Sequence, residues 1–457
     1  MKRVFVFKHM YVFYSFVFIA HIINLFLNSD KLNYIVGLLA ILMVIVSYPS
    51  ASRLFKILSG FFMLIGGGLY LSSASSIFDL PAILTNNISL LALLAMLPWM
   101  NSVVRSGRFD RSINTLIGIN VSDLGKLYVR SSAITLTLAA FLNLSAATIS
   151  QQVLKENLAH VDDKIKKSFI SMSTLRGFSL ALLWSPLEIL LATSIVVTGV
   201  SYVAMLPWLL LIVASVFIID ATWGRFHFKK HSYSPKDHLR QMNTNYKKIA
   251  RDILSLVAAL VLFLILVIII GNVFIHNFSL VVTLIIFPFS YAWAVIMKRR
   301  KSFLVIGWNN WKDKTNAMQN FIILFISLSL FSHSIAEASI LGTIQQPMLT
   351  VAHYPLVVFF GIQLTFIFLS MFGIHPIATI GILGSVLTTL LSVYNPLSIA
   401  IVLVTSAVST LTLGTYGLVV TLTALNLELN PYRITYSNSV FALLYGSMGS
   451  IIAYLLL

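Results

Sequence analysis

The chain has 457 residues, 58% of them hydrophobic and only 10% charged. A soluble domain carries about a quarter charged residues, so an aqueous core is excluded and lipid is the expected solvent. The net charge is +17, from 31 Lys+Arg against 14 Asp+Glu. Its basic residues cluster between apolar runs, as in loops facing anionic lipid, which argues against a nucleic-acid partner.

In chain order, continuous apolar runs fall near 10–27, 32–48, 54–71, 86–100, 204–220, 252–271, 276–297, 317–333 and 436–457. Most approach the ~20 residues a helix needs to cross ~30 Å of hydrocarbon. Barrel strands would alternate in polarity instead. Met1-Lys-Arg precedes the first run with no small-residue cleavage site after it, so a first membrane helix is expected rather than a cleaved signal. The absence of cysteine removes disulfides and thiolate metal sites.

The basic clusters orient the spans. Lys2, Arg3 and Lys8 place the N-terminus in the cytoplasm, and Arg53, Lys56, Arg105, Arg108, Arg111, Lys126 and Arg130 follow on the same side. From Arg225 to Arg251 there are eight Lys/Arg and one acid, Asp237, which reads as a basic cytoplasmic linker dividing 1–224 from 252–457. Lys298-Arg-Arg-Lys301, Lys312 and Lys314 form the next cluster, and no Lys or Arg occurs from 315 to 432. The resulting expectation is a multi-pass protein of a bacterial inner membrane with an extracytoplasmic C-terminus.

Two apolar regions, 131–198 and 352–428, are repeatedly broken by Asn, Ser, Thr, Gly and Pro. The first contains Ala140-Phe-Leu-Asn-Leu-Ser-Ala-Ala-Thr148, then Arg176 to Trp184-Ser-Pro186. The second contains Met371-Phe-Gly-Ile-His-Pro-Ile-Ala-Thr379, then Ser409-Thr-Leu-Thr-Leu-Gly-Thr-Tyr-Gly417. Asn143 to Pro186 and Ile374 to Gly417 are both 43 residues apart. Helical backbone interrupted at membrane depth leaves unpaired N–H and C=O groups, each costing several kcal/mol in lipid. Such breaks persist where they line a cavity, and there they offer amides to an anion and carbonyls to a cation.

These features predict an all-α membrane protein of about eleven spans in two inverted repeats, each with a re-entrant hairpin and a broken helix. The hairpins are expected near 131–152 (inward) and 352–391 (outward), the broken helices near 174–198 and 397–428. The first repeat carries an extra first span. The pattern resembles the ion transporter superfamily of divalent anion:sodium symporters and arsenite-permease-like carriers. Ala140–Thr148 is similar to that group's first hairpin tip, Leu180–Pro186 to its first helix break and Ser409–Gly417 to its second. The second tip departs from it, reading Gly373-Ile-His-Pro where the sodium:dicarboxylate branch shows Ser-Asn-Thr. The resemblance implies secondary active transport of a small anionic solute coupled to protons or sodium, a homodimer, and no other cofactor. Competing readings are a membrane enzyme or translocase for lipid-linked envelope precursors, and a lipid-translocating carrier. No nucleotide-binding, zinc or nucleophile-elbow motif is present, and an enzyme is not expected.

The candidate binding residues are Asn143, Ser145, Thr148, Ser185, Glu188, His375, Thr379, Ser409, Thr412 and Thr415. Most supply neutral oxygens at the breaks. Glu188 is an acid inside an apolar stretch, where a charge must face the protein interior; it is the protonatable candidate. His375 titrates near neutrality and suits proton coupling. Arg176, flanked by Lys166 and Lys167, is expected at the cytoplasmic interface, and Gly66-Gly-Gly68 at a close helix contact.

Overall fold

A computed structural model of the chain describes residues 9–73, 76–107, 109, 121, 123–231, 233, 246–273, 277–337, 350–415 and 417–457. Every regular element among the described residues is helical. The first part comprises α1 (Met10–Leu27), α2 (Asp30–Ser47), α3 (Arg53–Ser72), α4 (Ile88–Ser106), α5 (Leu124–Leu142), α6 (Leu144–Asn157), α7 (Asp163–Trp184), α8 (Ile189–Thr198) and α9 (Tyr202–Phe228). The second comprises α10 (Tyr246–Val273), α11 (Phe278–Ile296), α12 (Arg300–Asn316), α13 (Gln319–Glu337), α14 (Pro355–Met371), α15 (Pro376–Leu390), α16 (Pro396–Ser409), α17 (Leu418–Leu427) and α18 (Pro431–Leu455).

Polar residues between the apolar runs start these helices. Asp123 accepts from the Lys126 amide, Asp162 from those of Lys164 and Ile165, and Ser201 from that of Ala204. In the second half the cap is followed by proline: His375-Pro376, Asn395-Pro396 and Asn430-Pro431 each cap a helix whose first residue needs no N–H donor.

Ten helical stretches among the described residues are long and apolar enough to cross a membrane, against about eleven expected. The difference has a local cause. The first broken helix runs from Asp163 to Thr198 as one apolar stretch, whereas the second is split into Pro396–Thr412 and Leu418–Leu427, each too short to span alone. The basic segment 225–251 is helical at both ends, since α9 continues to Phe228 and α10 begins at Tyr246. Helix α12 is an element the apolar pattern does not predict.

Packing sorts the helices into two groups. α1–α4 and α11–α13 contact one another, with α13 packed on α3 and α12 on α4. At the closest approach of α3 and α13, a Cβ on Gly66 would sit 2.8 Å from the Phe331 Cα, whereas Gly67 and Gly68 face open space. α5–α9 and α14–α18 form the second group, with α7 against α5, α6, α9, α16 and α18. Most residues in the apolar window of Asp163–Thr198 are buried, whereas in that of α3 fewer than a third are. The broken helices therefore occupy the core and the first spans its lipid-facing wall.

Candidate functional site

The backbone leaves the helix at both expected hairpin tips. At the first, the turn is a single residue: Asn143 adopts φ 44° and ψ −130°, and Leu144 already begins α6. Asparagine tolerates positive φ better than most residues, and the Asn143 amide still closes onto the Ala139 carbonyl at 3.0 Å. Ser145 and Thr148 consequently lie within α6. The Thr148 hydroxyl donates to the Ser145 carbonyl, and Arg105 reaches the Ser145 hydroxyl at 3.3 Å.

The first break, Ser185–Glu188, sits against this turn. The Ser185 hydroxyl donates to the Ala140 carbonyl at 3.0 Å, and the Asn143 side-chain amide donates to Glu188 Oε2 at 3.2 Å. Glu188 also caps α8, its Oε1 accepting from the Leu190 amide at 3.3 Å. The Trp184 carbonyl at the end of α7 accepts from the Tyr202 hydroxyl at 2.7 Å. Groups freed by the interruption are thus taken up by protein, as lipid requires. Glu188 is 4% exposed.

The second break is neutral. α16 tightens into a turn at Thr410–Thr412, and α17 starts at Gly417 with no side-chain cap. Ser409 and Thr412 donate to carbonyls one turn back, and Thr415 shares a hydrogen bond of 3.0 Å with Thr435. A Cβ on Gly414 would stand 3.0 Å from the Ser370 hydroxyl, so the end of the α14 hairpin arm abuts this break. Helix α7, which ends at the first break, packs on the 410–412 turn of the second, and α8 packs on α16. Tyr445 of α18 donates to the Ser179 carbonyl of α7 at 3.3 Å.

The second tip is placed differently. Gly373 has φ 85°, and His375 caps α15 through Nδ1, accepting from the Ile377 amide at 3.2 Å. Its ring lies 6.1 Å from that of Phe55 on α3 and 6.0 Å from that of Phe321 on α13, both in the first group of helices. Among the described residues no hydrogen bond joins His375 to Asn143 or Glu188. Thr379 is buried, and its hydroxyl has no partner among the described residues.

Arg176 differs most from its sequence reading: it is 5% exposed rather than interfacial. Its Nη1 lies 2.7 Å from Asp220 Oδ1, Nε donates to Asn438 Oδ1 at 3.0 Å and Nη2 to the Ser437 carbonyl at 2.9 Å. The guanidinium stands 4.7 Å from the centre of the Trp223 ring and 5.2 Å from that of Phe441, and the Tyr128 hydroxyl donates to both Asp220 oxygens. Every guanidinium nitrogen has a partner, so the long side chain closes a cluster among α5, α7, α9 and α18. Asp220 is not among the residues the sequence singles out; it ends the apolar run 204–220, and an acid at that position is the signal for it.

Gln151 was also missed. Its amide donates to Thr423 at 2.8 Å and to Thr174 at 3.3 Å, and its carbonyl oxygen accepts from Asn426 at 3.0 Å, tying the hairpin arm α6 to α17 of the other half. Polar helix residues of this kind look unremarkable until their partners, some 270 positions away, are known.

Three charged side chains are buried among the described residues: Arg176, Asp220 and Glu188. The first two neutralise each other. Glu188 has only neutral partners.

This architecture has a solved counterpart. The crystal structure of the Alcanivorax borkumensis YdaH transporter, which has an unusual topology, matches with a TM-score of 0.59. The match covers 88% of this chain and 98% of that one at 15% identity. No protein-family model matches the chain, and no curated protein matches it in sequence. The chain is therefore a multi-pass helical membrane protein with the fold of a solved transporter.

Proposed function

We propose that the protein is a secondary active transporter of a small organic or inorganic anion, coupled to protons or sodium. In this reading the two halves are inverted repeats exchanging access between the two sides, as in the ion transporter superfamily that the sequence resembles. The carrying observation is Glu188, a buried carboxylate without a countercharge at the junction of a helix break and a hairpin turn. An anion bound nearby would be repelled by about 4 kcal/mol at 4 Å in an effective dielectric of 20. A proton on Glu188 or a sodium ion beside it removes that cost, so cation and anion enter together. The neutral second break, with the start of α17, is the side for the anion; Ser409, Thr412 and Thr415 belong to it, each exchanging its present protein partner for the anion when it binds.

The hydrogen bond to Asn143 links this charge to movement. An ionised Glu188 accepts from the Asn143 amide at Oε2; a proton placed on that oxygen turns it into a donor and asks Asn143 to present its own oxygen instead. The hairpin turn then senses occupancy. We further propose a bacterial cytoplasmic membrane, with the N-terminus and the 225–251 segment inside, the C-terminus outside, and a homodimeric assembly. Uptake or counterflow in proteoliposomes, across a panel of carboxylates and oxyanions with imposed proton or sodium gradients, is the direct test. Gradient-dependent accumulation of one class is expected; an inert chain across the panel would overturn the proposal in favour of an enzyme or translocase for lipid-linked precursors.

A further inference from the structure

Helix α12 is too polar to span a bilayer and lies at one end of the bundle. Its start follows the end of α11 directly, and near its other end Asn316 Oδ1 accepts from the Tyr11 amide at the beginning of α1 at 3.3 Å. Asn320, at the beginning of α13, accepts from the Ser52 amide at the start of α3 at 2.8 Å. Both ends of α12 are thus fixed at the level where three apolar helices begin and one ends. The helix is held from below: a Cβ on Gly307 would run into the Trp99 ring, and the Asn310 amide donates to the Pro98 carbonyl and the Ser102 hydroxyl, each at 3.1 Å.

The opposite face is uncovered. Leu304, Val305 and Trp308 are 40%, 64% and 51% exposed, and at helical spacing they form one stripe with the exposed Lys301 at one end; at the other, Lys312 is half-buried with its ammonium 5.4 Å from the centre of the Tyr11 ring. Lys298, Arg299 and Arg300 beside it are exposed as well. Apolar and indole side chains facing outward, flanked by cations, suit a helix lying in the headgroup plane, where rings and alkyl groups enter the acyl boundary and ammonium groups meet phosphate.

We infer that α12 is a seat for anionic phospholipid, with the Lys298–Lys301 run on the headgroup phosphate and the Leu304–Trp308 stripe against the upper acyl chain. Charge complementarity selects the occupant: the run contains four cations and no acid, and each cation near an anionic membrane surface adds to the attraction. The seat is independent of any transport activity.

The test uses the full chain in nanodiscs doped with brominated phosphatidylglycerol or brominated phosphatidylcholine. The Trp308 share of the fluorescence is obtained by difference from Trp308→Phe. Half-quenching by the anionic lipid is expected at a mole fraction at least about fivefold lower than by the zwitterionic lipid. That preference is expected to shrink in high salt and in the combined variant Lys298→Gln/Arg299→Gln/Arg300→Gln/Lys301→Gln. Should that variant fail to insert, Arg300→Gln/Lys301→Gln provides the same comparison. Equal quenching by the two lipids, a preference unaltered in the variant, or protection of Trp308 from both lipids would overturn the inference, the last by showing that protein covers the stripe.

Discussion

The two helix breaks occupy comparable places in their halves but solve the same physical problem with different chemistry. The first brings a carboxylate: Glu188 caps α8 and is held by Asn143 of the adjoining hairpin turn. The second uses hydroxyls bonded to carbonyls one turn back and a glycine, Gly414, that lets α14 approach closely. All three buried charges among the described residues belong to the first half. A half that holds charge can respond to a cation, and one that holds only dipoles can host an anion without prior neutralisation. The asymmetry between otherwise similar elements is what assigns them separate tasks in the proposed mechanism.

The largest effect that would break the comparison is at the first break. Glu188→Gln and Asn143→Ala are each expected to reduce gradient-driven uptake to background with insertion and expression retained. Normal uptake by both would remove the charged break from the site. Next in size is the buried ion pair. Asp220→Ala leaves Arg176 uncompensated, and breaking such a pair costs about 3–5 kcal/mol. The expected readout is a marked drop in thermal stability in detergent, with substantial recovery in Arg176→Met/Asp220→Leu. The smallest effects belong to the second break. Thr415→Val removes one hydroxyl bond inside a membrane protein, worth about 0.6 kcal/mol, so the fold should be nearly unaltered. Thr415→Val and Ser409→Ala are expected to raise the apparent KM for the anion while leaving the dependence on proton or sodium unchanged. A change in ion dependence would contradict the division of roles.

Much of the first site was legible because its signals are local. An acid placed two residues after Ser185-Pro186 and before ten apolar or neutral residues has few physical explanations, and Asn143 within an otherwise apolar stretch marks a turn for the same reason. His375 was legible only in part: the residue before Pro376 does cap a helix, but its ring packs on Phe55 and Phe321. Arg176 was misplaced because neighbouring lysines suggested an interface; burial became tolerable only through Asp220, Asn438 and Ser437, two of which lie about 260 residues away.

The sequence by itself determined the solvent, the helical class, the basic segments and the four places where helix is interrupted, because apolarity, charge and backbone-breaking residues act over one span or less. Tertiary structure alone decided which interruption faces which, that Arg176 and Asp220 cancel, that Glu188 is left without a countercharge, and that α12 packs at the end of the bundle. Each of these depends on side chains from distant segments meeting where water is scarce, and no local pattern encodes which distant group will be there.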